Sequence, residues 1–222
     1  MELEWVKNIK NIPLNVKRYA QFNEEALFDY IFENIGVVNK YLVDFGAGGL
    51  GCSMSNTRYL LEKGWTGLRM DGNPMGDTTI MQEMITAENI CDLFKKYNVP
   101  NEFDFLSIDI DGNDYWVLKN ILEVGYSPRV IIAEFNGCIP NGISKTIKYN
   151  PNHSWGENDY YGFSFDLGKK LAKEKGYTLV HQVATTNMIF VREDIVPQFD
   201  YGVVFTQMQY HAHSPNREWV NI

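Results

Sequence analysis

The segment Asp44-Phe45-Gly46-Ala47-Gly48-Gly49-Leu50-Gly51 places four glycines in six positions. It stands between an apolar run and an amphipathic one. Glycine adopts backbone conformations closed to other residues and lets a ligand approach the chain. Where such a turn opens a helix, free N–H groups and the positive dipole end face that ligand. The spacing Gly46-x-Gly48-x-x-Gly51 also satisfies GxGxxG, the fingerprint of dinucleotide sites. The alternative is a plain tight turn. Acids follow at the ends of later apolar runs: Asp71 after the second, then Asp109, Asp111 and Asp114 in Ser-Ile-Asp-Ile-Asp-Gly-Asn-Asp.

The glycines alone do not distinguish NAD from S-adenosylmethionine. The acids do. Asp44 lies two residues before the first glycine, where a carboxylate suits the ammonium end of a methionine moiety and repels a pyrophosphate. Asp71, followed by Gly72, suits ribose hydroxyls in either cofactor, or else is an ordinary turn aspartate. Three acids around residue 111 tolerate a sulfonium cation and disfavour a diphosphate. Ile85 and Thr86 stand where adenine lies in such folds, although Thr86 also reads as a helix N-cap with Asn89 at N3.

The same acids suit a hard divalent cation such as Mg²⁺. Asp109 and Asp111, with Glu134 and Asn136 after the next apolar run, offer oxygen ligands. Capping by Asn113 or Asp111 is the competing reading. A calcium loop of the EF-hand type is excluded, because the glycine comes too early and the final glutamate is missing. Asp109 or Asp111 is the first candidate for a general base. His153, in Asn-Pro-Asn-His-Ser-Trp-Gly-Glu-Asn-Asp-Tyr-Tyr, is the second. His153 also reads as an ordinary loop histidine. His211 and His213 look incidental.

These residues must be positioned by strands alternating with helices. Helical spacing covers 23–35, with Gly36 as a stop. Strands are expected at Tyr41–Phe45, Thr66–Met70, Thr79–Ile85 (weakly), Phe103–Ile110 and Arg129–Phe135. Helices are expected at Ser53–Lys63, capped by Ser53 or Ser55, then at Ala87–Tyr97, Asp114–Val124 and Tyr161–Lys175. Tyr177–Val183 and Asn187–Arg192 read as an antiparallel pair. The expected fold is therefore α/β and Rossmann-like. It has a mostly parallel twisted sheet, an antiparallel C-terminal strand and helices on both faces. One domain over 1–222 is expected, with a 20–192 core, a substrate loop at 136–158 and a tail from 195 to 222. Ligands in such sheets bind outside the carboxyl ends of the strands.

Composition bounds the function. A net charge of -8 and no basic run exclude sequence-independent nucleic-acid binding. No apolar run reaches membrane-spanning length, and no N-terminal signal is visible. Three isolated cysteines without CxxC spacing exclude a disulfide framework and fit a cytoplasmic setting.

The run from Val43 to Pro74 resembles the FkbM-type methyltransferases. It carries the glycine loop, Ser55-Asn56-Thr57, Leu61-Glu62, Gly64-Trp65-Thr66-Gly67 and Asp71. Gln21-Phe22-Asn23-Glu24 is similar to the family's entry to its first helix, with Asn23 in place of the usual glycine. The likeness extends over about residues 20–192. It implies methyl transfer from S-adenosylmethionine to a hydroxyl of a sugar, glycan or polyketide-like molecule. It also implies cofactor contacts from Gln21, Ala47, Ser55, Asn56 and Thr57. The rival readings are an NAD-dependent sugar oxidoreductase or epimerase, which lacks its Tyr-x-x-x-Lys pair here, and a non-catalytic binding module.

Overall fold

Apolar runs become strands and amphipathic segments become helices, in an order that builds one mixed sheet. A computed structural model describes residues 3–14, 19–49, 52, 54–208 and 210–222. The chain begins with helix α1 (Glu4–Asn8) and a short 3-10 turn, followed by α2 (Glu25–Ile35). Next come β1 (Tyr41–Phe45), α3 (Arg58–Glu62), β2 (Thr66–Asp71), β3 (Met81–Gln82) and α4 (Ile90–Lys96). They lead to β4 (Glu102–Ile108), α5 (Asp114–Val124), β5 (Ser127–Glu134) and β6 (Lys145–Ile147). The last elements are α6 (Phe165–Glu174), β7 (Tyr177–Val183), β8 (Asn187–Arg192) and β9 (Trp219–Asn221).

The main sheet runs β3-β2-β1-β4-β5-β8-β7. The first five strands are parallel, and β8 runs antiparallel to both its neighbours. This is the expected Rossmann-like α/β architecture, with a mostly parallel sheet and an antiparallel C-terminal strand. Each face of the sheet is covered by its own apolar cluster. Val43, Phe45, Leu106 and Ile108 meet Phe94 of α4, Ile121 of α5 and Leu171 of α6. Leu42, Phe105 and Ile132 meet Phe28 and Ile31 of α2 and Leu60 of α3 on the other face. A central parallel sheet buried on both sides needs continuous apolar strands, as the sequence of β4 shows. Among the described residues, no helix is long and apolar enough to cross a membrane.

Several elements are shorter than their sequence patterns suggest. The strand expected at Thr79–Ile85 is only Met81–Gln82, because Asp77 takes hydrogen bonds from the Thr79 amide and hydroxyl and holds a turn. The helix expected from Ser53 begins at Arg58, with the Ser55 hydroxyl accepting from the Arg58 amide at 3.2 Å; Ser53 lies outside the described residues. The helix expected from Tyr161 begins at Phe165, where the Ser164 hydroxyl caps the Leu167 amide. The 136–158 loop is not wholly irregular. It contains β6, which pairs antiparallel with β9 and fastens the tail to the loop.

Candidate active site

The sheet reverses its strand order between β1 and β4, and their exits touch. Phe45 and Ile108 are register partners, and the Asp109 amide donates to the Phe45 carbonyl at 3.3 Å. Gly46, at φ +68, sits so close that a Cβ there would lie 1.6 Å from the Asp109 carbonyl oxygen. Glycine is therefore required by the junction itself. A cavity of about 1120 Å³ opens above this junction. Of the residues expected at a cofactor site, Gln21, Gly46, Gly48, Asp71, Gly72, Ile85 and Asp109 line it. Asp71 accepts hydrogen bonds from the Gly48 and Asn73 amides, so it ties the glycine loop to the end of β2. Gly51 lies outside the described residues.

Other expected contacts stand behind the cavity wall. Asp44 is buried on the α3 side of β1, flanked in register by Arg69 and Ser107. It accepts from the Thr57 hydroxyl, and Arg69 Nε lies 3.9 Å from it. Burial raises its pKa, which Thr57, Arg69 and Ser107 oppose. Asn56 donates to the Ser107 hydroxyl, and the Ser55 amide donates to the Tyr19 carbonyl. The Ser-Asn-Thr run thus braces the loop against a buried polar row. Ala47 is buried, its carbonyl taken by Arg69. Thr86 and Asn89 exchange side-chain-to-amide bonds of 2.9 and 3.2 Å, the N-terminal box expected before α4. None of these residues lines the cavity.

The acids do gather at the cavity. Ligand oxygens of Asp109, Asp111 and Glu134 all lie within 4.8 Å of one another. Asp114 shapes the loop that presents them. Its carboxylate accepts from the Ile110 and Gly112 amides at 2.9 and 2.8 Å, while Asp111 is held at φ +52. The expected capping by Asn113 or Asp111 is therefore replaced by Asp114. Burial pushes Asp114 up to about 6, against the pull of those amides. Asp109 and Glu134 are held well above the ordinary carboxylate range, first by burial and then by their acidic neighbours. Asn136 does not join them. It is fully buried, its Nδ2 donates to the Asp159 and Tyr161 carbonyls, and its Oδ1 accepts from the Cys138 amide.

His153 arrives from the long loop and packs on Gly112, its Cδ2 2.6 Å from where a Cβ would stand. It lines the cavity, its Nε2 has no hydrogen-bond partner, and burial lowers its pKa. A neutral ring with a free nitrogen can accept a proton. Trp155, within the expected substrate loop, lines the outer wall, but sequence reasoning named none of Phe22, Met54, Tyr161, Met208 and Tyr210 as wall residues. His211, which looks incidental in the sequence, lines the cavity and packs edge-on against Trp155. His213 bridges Asp159 and Lys145 outside it. The aromatic Asn-His-Ser-Trp stretch was the available signal for the loop. The tail residues carry none, because nothing local says that they fold back.

The lining is acidic. Asp71, Glu83, Asp109, Asp111 and Glu134 contribute five carboxyl groups, and among the described residues no Lys or Arg lines the cavity.

No protein-family model and no curated protein matches the chain. Among solved structures, the chain is similar to the pyocyanin biosynthetic protein PhzM, at 14% identity and a TM-score of 0.35. The match covers 86% of this chain and 62% of that one, so the chain spans less than two thirds of PhzM.

Proposed function

We propose that the protein is an S-adenosylmethionine-dependent O-methyltransferase acting on a hydroxyl of a sugar, glycan or related small molecule. The carrying observation is the cavity at the β1/β4 switch point, with five carboxyl groups and no Lys or Arg among the described residues. Such a lining favours a cationic ligand and leaves a pyrophosphate without a counter-charge, which disfavours the dinucleotide reading. The volume accommodates an adenosine cofactor with an acceptor beside it. The Gly46 junction and the Asp71-bound glycine loop form the cofactor side. The resemblance to FkbM-type sequences supports the same reading. The rings of Trp155, Tyr161 and Tyr210 suit the apolar face of a sugar on the acceptor side. The free thiols of Cys52, Cys91 and Cys138 support a cytoplasmic setting.

When bound, S-adenosylmethionine supplies an electrophilic methyl group whose sulfur leaves as a neutral thioether. The chain's own residues align the acceptor oxygen with that methyl and receive its proton. His153 Nε2 is the first candidate to accept the proton, since it is neutral, unpartnered and on the cavity wall. Asp109 and Asp111 are the alternatives.

Calorimetric titration with S-adenosylhomocysteine tests the cofactor. Binding is expected at about micromolar affinity, and the absence of any heat at about 100 μM overturns the reading. A mass-spectrometric screen over sugars and glycans then tests the acceptor class. Transfer to a nitrogen or carbon centre alone would replace the O-methyl assignment.

A further inference from the structure

We propose that Asp109, Asp111 and Glu134 form a site for one hard divalent cation, of the Mg²⁺ or Mn²⁺ class, at the floor of the cavity. The three carboxylates come from two adjacent strand exits, β4 and β5, and their oxygens lie within 4.8 Å of one another. Asp109 and Glu134 present carboxylate oxygens within 4.8 Å of each other. Two carboxylates so placed need a proton or a cation between them.

A second feature points to a ligand rather than to a chance cluster. Two further oxygens on the same cavity have no partner, although their residues are almost fully buried. They are Asn113 Oδ1, at 5% exposure, and Thr186 Oγ1, at 7%. Thr186 sits beside the exit of β5, its carbonyl taken by the Phe135 amide. Asn113 follows Asp111 in the loop that Asp114 holds. Buried polar atoms normally find partners, so these await a ligand or the water shell of one. The donor set is all oxygen, which selects a hard cation over zinc.

Binding of the cation is independent of the methyl-transfer reading. Its role rests on that reading: a cation here would hold the acceptor hydroxyl and lower its pKa before the proton leaves.

The test uses the intact protein with MnCl₂ and no organic ligand, reading loss of the free Mn²⁺ electron-paramagnetic signal at pH 7.5. One ion per chain is expected, with dissociation constant below about 1 mM. Glu134→Gln and Asp111→Asn should each weaken it about tenfold or more, while Glu83→Gln on the same cavity should not. Circular dichroism melts verify that the variants are folded. No uptake at about 1 mM overturns the site. So does uptake that is unchanged in both ligand variants. Titration with S-adenosylhomocysteine in parallel separates the two proposals, because either ligand can bind while the other fails.

Discussion

At the residue scale, position along a strand decides more than proximity in sequence. Asp44 adjoins the glycine loop, yet strand alternation turns it toward Arg69 and Ser107 and away from the cavity. Counting residues to the first glycine does not report which face of the strand Asp44 takes, and the alternation of the strand does. Gly46, Asp71 and Asp109 were legible as cavity residues because Asp71 ends its strand and the other two follow theirs directly, all at the carboxyl edge. Gly46→Ala should be severe, since the new methyl meets the Asp109 carbonyl and φ is +68. A loss of about 3 kcal/mol or more in urea unfolding is expected, and a change under about 1 kcal/mol would show that the junction relaxes freely. The acids make a different kind of prediction. Asp109 and Glu134 titrate higher in the folded chain than their unfolded values near 4. The folded state thus holds their protons more tightly, so their contribution to stability is present below about pH 4 and is lost as pH rises through the folded pKa values. Glu134→Gln should therefore stabilise the cation-free protein more at pH 8 than at pH 5. Chemical denaturation at the two pH values checks the sign, and an equal or reversed effect would show that the cluster is not strained by charge.

At the element scale, the end of the sheet opposite the site is held by one buried ion pair. Asp104 on β4 is fully buried and accepts from the amides of Val38, Asn39 and Lys40, the link that leads into β1. Arg129 on β5 meets it at 2.8 Å and also donates to the Ile35 and Gly36 carbonyls, ending α2. This one cluster joins α2, β1, β4 and β5. Removing one partner leaves a buried charge uncompensated. Asp104→Ala is expected to cost about 3–5 kcal/mol in urea unfolding. Because the site lies at the other end of the strands, S-adenosylhomocysteine affinity of the folded variant should stay within about threefold. A larger loss would mean that the α2–β1 link reaches the cavity. These long elements were legible from apolar runs and helical spacing. The entry to α2 was legible too, including its departure from the resembled pattern. Asn23 stands where glycine is usual and adopts φ +65, a conformation asparagine tolerates. Of the short elements, β3 was legible only as a longer, weak strand, and β6 and β9 were not legible, because three residues carry no measurable period.

At the scale of the whole molecule, the wall proposed for the acceptor is completed by the tail returning to the loop. Asp159 is the clasp. It is 2% exposed, accepts from the Ser214 amide at 2.6 Å, and pairs with Arg217 at 2.7 Å and His213 at 3.3 Å. Trp219 then bonds the Ser214 carbonyl and lies against His213 and Lys145, and β9 zips onto β6. Between clasp and sheet, Met208, Tyr210 and His211 become cavity wall. No local pattern predicts this closure, since the contacts of Asp159 with Ser214 and Arg217 each span more than fifty residues. The side proposed for the cofactor, by contrast, is built from the β1, β2 and β4 exits without the tail. Asp159→Ala should thus separate the two halves of the cavity. Without its carboxylate, Ser214 and Arg217 lose their acceptor, and the tail should become the first site of limited proteolysis. S-adenosylhomocysteine affinity should change by less than about threefold, while turnover of the acceptor found in the screen should fall by about tenfold or more. If cofactor affinity falls in step with turnover, the tail walls both ligands and the division of the cavity drawn here is wrong.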